Sequence, residues 1–118
     1  MDINILAKEA DQGNVVSQTI LGIMYLDGLG VEINYIEAKK LLESAADKGA
    51  PRALSNLGKI YEHGLGVEKD LEKAADLYQE SAFAGEFLAH IWLARLLQKH
   101  GYKEDAVEWY RNALKIDG

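Results

Sequence analysis

Arg52, Lys59, Arg95 and Lys99 are four cations in a chain whose formal net charge is -6. Fixed positive groups in an acidic chain suit carboxylate partners, because charge-assisted hydrogen bonds are roughly twice as strong as neutral ones. Three histidines, His63, His90 and His100, are the other candidates for chemistry near neutral pH. They are not spaced as i, i+4 ligands, and with no cysteine there are neither thiolate ligands nor disulfides. No metal and no cofactor is expected. Gly28-x-Gly30 and Gly64-x-Gly66 follow no strand pattern and lack the lysine and hydroxyl of a phosphate cradle, so they read as turn glycines. No serine, histidine and acid are arranged for nucleophilic catalysis. The chain reads as non-enzymatic, since only scattered His and Glu speak for catalysis.

An acidic balance argues against non-specific nucleic-acid binding, which needs a basic face. The opening MDINILAKEADQ has neither the basic start nor the apolar run of a signal peptide. No stretch reaches the apolar length of a spanning helix, so membrane insertion is not expected. A cytoplasmic location is the default expectation, with a periplasmic or secreted mature form left open.

The elements that must position the cations are written nearly twice. Residues 13–31 read GNVVSQTILGIMYLDGLGV and residues 49–67 read GAPRALSNLGKIYEHGLGV, at an offset of 36. Leu21 matches Leu57, Gly22 matches Gly58, Tyr25 matches Tyr61, and the Gly-Leu-Gly-Val turns coincide. A period of this size means stacked supersecondary units. Residues 1–12 look like the second half of a repeat. Repeat one spans 13–48, repeat two 49–84 and repeat three 85–118, all within a single repeat domain. Seven helices with short connections are predicted, hence antiparallel neighbours.

Local signals set the helix ends. Gly13 and Gly49 read as left-handed caps, and Asn34 and Asp70 as N-caps, with Glu37 completing a capping box. Pro51 falls in a first helical turn, where its missing N–H does no harm. Gly22 and Gly58 sit inside helices, where glycine costs about 1 kcal/mol relative to alanine. Their recurrence predicts two helix backbones in close approach, and Ala94 keeps the equivalent place small. From Leu93 to Ala106 is 13 residues against 17 from Leu57 to Ala74, so the third turn is four residues shorter.

With those residues in place, the pattern resembles the Sel-one-like repeat, a longer-looped relative of the tetratricopeptide repeat. Gly49, Ala53, Leu57, Gly58, Tyr61, Gly64, Gly66, Val67, Asp70, Lys73 and Ala74 carry it most fully. Repeat one departs at Ser17 and Glu37, and AVEWYRNALKID looks like a tetratricopeptide second helix. The resemblance implies an all-α, right-handed α–α superhelix and a scaffold or adaptor that holds a protein segment in a concave groove.

In such a stack the first helices line the inner face. The positions expected to point into the groove are Val16, Thr19, Ile23 and Leu26 in repeat one. In repeat two they are Arg52, Ser55, Lys59 and Glu62, and in repeat three Leu88, Ile91, Arg95 and Gln98. His63 and Lys99 fall near the lip. An apolar and basic trough suits an acidic or C-terminal peptide. The plainer alternative pairs the cations with Glu62 and Asp27 and packs the apolar residues between repeats. Tetratricopeptide modules that grip a terminal carboxylate use lysine, asparagine and arginine. Asn56 matches one such place, whereas Thr19, Ile23, Leu88 and Trp92 do not match others.

The last helix carries Val107, Trp109, Tyr110, Ala113, Leu114 and Ile116, more apolar face than one partner helix covers. Self-association through Trp109 and Ile116, or a longer array, is one expectation; folding of Trp109 onto the neighbouring helix is the other. A second functional reading is a dedicated inhibitor or immunity protein that masks one effector enzyme.

Overall fold

The computed structural model describes residues 2–117, with the backbone alone described for Ile116 and Asp117. The described residues form seven α-helices: α1 (Ile3–Asp11), α2 (Val15–Asp27), α3 (Tyr35–Ala46), α4 (Pro51–His63), α5 (Leu71–Phe83), α6 (Leu88–Lys99) and α7 (Lys103–Asp117). Each packs chiefly on its neighbours in sequence, and α2 also touches α4. The result is an elongated all-α superhelix of antiparallel pairs, α2/α3, α4/α5 and α6/α7, preceded by α1. Among the described residues no helix is long and apolar enough to cross a membrane.

Caps hold the ends where the local signals put them. The Asn34 side chain accepts from the Glu37 N–H at 3.1 Å, and Asp70 accepts from the Lys73 N–H at 3.0 Å. The reciprocal half of the expected capping box is absent. The Asn34 N–H instead donates to the Tyr25 carbonyl at 2.9 Å, closing the turn. The same bond recurs from Asp70 N–H to Tyr61 O at 2.9 Å and from Tyr102 N–H to Leu97 O at 2.8 Å. Tyr102 therefore holds the N-cap place of the third pair, although its turn is four residues shorter.

Helix α6 begins at Leu88. Backbone bonds from Ala89 to Glu86 O and from His90 to Phe87 O make a tight i→i+3 lead-in there.

The interior glycines make room chiefly for a partner side chain, with a close backbone as well at Gly22, where a Cβ would lie 3.4 Å from Ala38 O. A Cβ on Gly58 would lie 2.7 Å from the Tyr78 ring, and one on Gly22 would lie 2.8 Å from the Leu42 side chain. The notch admits a large side chain from the partner helix of the same pair. Leu42 and Tyr78 are fully buried as a result.

The core is a chain of clusters. Leu6, Ala10 and Leu21 join α1 to α2, while Leu26, Ala38, Leu42, Ala53, Leu57 and Ile60 join repeats one and two. Ala74, Tyr78, Leu93 and Leu96 join repeats two and three. Polar ties cross between helices as well: Gln18 donates to Ala10 O at 3.1 Å, and Ser81 donates to Pro51 O at 2.6 Å. The first bond ties α2 to the last turn of α1, and the second ties α5 to the first turn of α4.

Candidate protein-binding face

Helices α2, α4 and α6 present a run of three hollows that share walls. The first, about 300 Å³, lies between Val16, Thr19, Ile20 and Ile23 of α2 and Ala50, Pro51 and Arg52 at the start of α4. The second, about 420 Å³, shares Ile23 and Arg52 with it and continues to Asn56, Lys59, Leu88 and Trp92, with the carboxylates of Asp27 and Glu86 also lining it. Lys59 and Trp92 then wall the third, about 390 Å³, with Glu62, His63, Arg95 and Lys99 around it. The trough thus grades from apolar over α2, through a middle of mixed charge, to an end where Lys59, Arg95 and Lys99 outnumber Glu62.

Its chemistry follows from who is already paired. The Lys59 ammonium stands 4.1 Å from the centre of the Trp92 ring, a cation–π contact that leaves its charge available to an anion. Arg52 meets Glu86 across 3.8 Å, a loose contact on an exposed guanidinium. Among the described residues Lys59, Arg95 and Lys99 form no ion pair with a carboxylate. Glu62 is engaged elsewhere: its carboxylate accepts from the Tyr78 hydroxyl at 2.6 Å. Burial pushes the Tyr78 hydroxyl far above its ordinary pKa, and the bond to Glu62 pushes it further. The hydroxyl is a permanent donor there, with no acid–base role at physiological pH.

The face gathers most of the residues that the helical spacing assigns to it. Val16, 67% exposed, and Leu88 present free apolar surface. Thr19 lines the first hollow while its hydroxyl bonds to Val15 O at 2.9 Å. His63 and Lys99 stand exposed beside the third.

Ser55 is the correction. It is 1% exposed, and its hydroxyl is returned to Arg52 O at 3.1 Å, so it offers nothing to a partner. A small side chain at that place lets the neighbouring helices close over it. Leu26 is likewise core. Ile91 is half-buried, and Gln98 accepts from the Tyr110 hydroxyl at 3.1 Å; neither lines the three hollows.

Trp92 packs against the cluster of Tyr78, Leu93 and Leu96 and also reaches the face. It bridges two hollows. The signal for it was the repeat column Ile20, Asn56, Trp92, immediately beside the buried column Leu21, Leu57, Leu93. Asn56 of that column spends its amide on Arg52 O at 2.8 Å.

At the far end, Trp109 turns inward, with its ring 5.8 Å from Phe83 and 5.5 Å from His90. Val107 and Leu114 remain exposed on α7, and the side chain of Ile116 lies outside the described residues. No cluster of three or more His, Asp or Glu able to hold a metal occurs among the described residues.

Comparison with known proteins agrees with the geometry. No curated protein matches the chain. A solved Sel1 repeat protein from Oxalobacter formigenes is 36% identical over 99% of this chain and 91% of its own, with a TM-score of 0.78. The structure of c5321, a protective antigen present in uropathogenic Escherichia coli strains and displaying an SLR fold, is 30% identical with a TM-score of 0.89. That match covers 98% of this chain but 26% of that protein, so the chain spans about a quarter of its length. The family model described as Sel1 repeat matches twice, at residues 15–49 and 51–85. Those two matches fall on the pairs α2/α3 and α4/α5, and the chain belongs to the Sel1 repeat family.

Proposed function

We propose that the chain is a non-enzymatic scaffold whose inner trough holds an extended protein segment. The segment's apolar residues lie over α2, and its acidic side chains or free C-terminus lie between α4 and α6. Sel1 repeats are protein–protein interaction modules in general, and the finer assignment rests on this chain's own residues. The observation that carries it is the hollow walled by Lys59, Trp92, Arg95 and Lys99, where three cations have no carboxylate of their own. An incoming carboxylate would gain charge-assisted bonds there without displacing an existing partner. Because each helix pair locks the next, the trough is preformed, and little ordering opposes binding.

Affinity purification from the source organism tests this. The native chain is expected to retain a protein that the Arg95→Glu/Lys99→Glu variant does not. Retention by both, with helicity intact in each, would place the binding surface elsewhere. A second reading, masking of one effector enzyme, predicts a single stoichiometric enzyme neutralised on binding.

A further inference from the structure

Two basic pairs border one hollow from facing helices. Lys59 and His63 stand four residues apart on α4, and Arg95 and Lys99 four apart on α6, a spacing that puts each pair on one helix face. The repeat does not require them, since repeat one holds Ile23 and Asp27 in the same columns. Like charges at the spacing of Arg95 and Lys99 also disfavour their own helix. The one carboxylate in the lining is Glu62, which accepts from the Tyr78 hydroxyl at 2.6 Å and lies 4.0 Å from the His63 Nε2. Three cations against one carboxylate leave a surplus of two positive charges in about 390 Å³, and the His63 imidazole has a further N–H to donate. The surplus ends at the hollow's edge, because Asp27 and Glu86 line the neighbouring one.

A ligand that matches this hollow carries two negative charges in a small space. One acidic side chain, or a free C-terminus, brings a single charge. A run of acids brings more, but side chains on one face of an extended segment are about 6.6 Å apart. The second carboxylate then leaves the hollow or approaches Asp27 and Glu86. A phosphorylated serine or threonine puts about -1.5 to -2 on one residue, with three acceptor oxygens for the surrounding donors. Nucleic acid and anionic membranes also carry phosphate, but as many charges at once, which a chain of net charge -6 repels. The hollow shares Lys59 and Trp92 with the rest of the trough, so a protein segment lying there can deliver one such group.

We propose that the hollow bordered by Lys59, His63, Arg95 and Lys99 takes a single phosphorylated side chain of the segment held in the trough. The inference rests on the trough as the binding face and adds that phosphorylation of the partner switches its recognition on.

Isothermal titration calorimetry of the full chain tests this with acetyl-Ile-Ala-Gly-Ala-Ser-Ala-Gly-Ala-Ile-amide, its central serine left free, phosphorylated or replaced by glutamate. The isoleucines flank the centre on both sides, so either chain direction brings one toward α2. They lie about 13 Å from it in an extended chain, against about 8–10 Å between packed helices. The phosphopeptide is expected to bind at least about tenfold tighter than the glutamate peptide, the worth of one more charge-assisted bond. In Arg95→Gln/Lys99→Gln, which removes the surplus, the two should agree within about twofold. Both side chains are exposed, and far-UV circular dichroism checks that the variant is folded; Lys99→Gln alone serves if it is not. Equal affinity of the two peptides for the native chain, each weakened by Lys59→Glu, would overturn the phosphoryl assignment and leave the acidic-segment reading standing. Binding by none of the peptides would sink both. A phosphopeptide preference that survives Arg95→Gln/Lys99→Gln would put the site elsewhere. The assignment also falls if acetyl-Ile-Ala-Gly-Ala-Asp with a free C-terminus, free O-phosphoserine or phosphatidic acid vesicles bind as tightly as the phosphopeptide.

Discussion

The Tyr78 hydroxyl donates to the Glu62 carboxylate at 2.6 Å, tying α5 to α4 directly beneath the cationic hollow. The equivalent pair in repeat one is Leu42 with Leu26, both buried, and in repeat three it is Tyr110 with Gln98 at 3.1 Å. One contact between repeat columns is thus built three ways, apolar, ionic and neutral polar.

Removing half of the ionic version should be costly, and removing both halves less so. Tyr78→Phe leaves a carboxylate without its donor and is expected to lower stability by about 1.5–3 kcal/mol, as for hydrogen bonds to charged groups. Tyr78→Leu with Glu62→Leu recreates the repeat-one pair, and its loss should fall well short of the sum of the single changes. Urea denaturation of the four members of the cycle checks this.

Gly58→Ala should destabilise even though alanine favours a helix by about 1 kcal/mol. The new methyl meets the buried Tyr78 ring at 2.7 Å, and overpacking of this kind costs about 1–3 kcal/mol. Lys40→Ala, on the exposed face of α3, is the control and should change stability by less than about 0.5 kcal/mol. Equal tolerance of both changes in thermal melts would refute the notch.

Acid should loosen repeat three through His90. The imidazole is 5% exposed, neither ring nitrogen has a hydrogen-bond partner, and burial lowers its pKa from the ordinary 6.5. The folded state therefore resists the proton that the unfolded state takes up. Its contribution is fully present above pH 6.5 and shrinks as pH falls toward the lowered value, by at most about 1.4 kcal/mol per pH unit. Denaturation curves between pH 7.5 and 5 should show this slope in the native chain and a smaller one in His90→Leu.

Binding in the trough should be reported by Trp92. In a Trp109→Phe background its emission becomes the only indole signal, since the chain has two tryptophans. An acidic C-terminal peptide is expected to shift that emission, and Lys59→Glu to abolish the shift. Raising sodium chloride from about 0.05 to 0.5 M should weaken binding, because exposed cations are screened over distances near 10 Å. An uncharged peptide that shifts the emission equally would remove the carboxylate from the reading.

Much of this architecture was legible in the order of residues because its signals are local. Asn34 and Asp70 cap within three residues of themselves, Pro51 and the turn glycines constrain their own backbone, and the period of 36 is arithmetic. The cations at Lys59, Arg95 and Lys99 could be put on one face for the same reason, since helical spacing is rigid. Spacing could not distinguish Ser55, sealed at 1% exposure, from Lys59 one turn later. Whether a position is open depends on how closely a different helix approaches. Packing across helices also settled which side chains fill the notches at Gly22 and Gly58, and that Trp92 bridges two hollows. The count of four missing residues in the third turn was there to be read. The apolar hollow it leaves against Leu71 and Ala75 exists only because α5 and α6 are held in register by their packing.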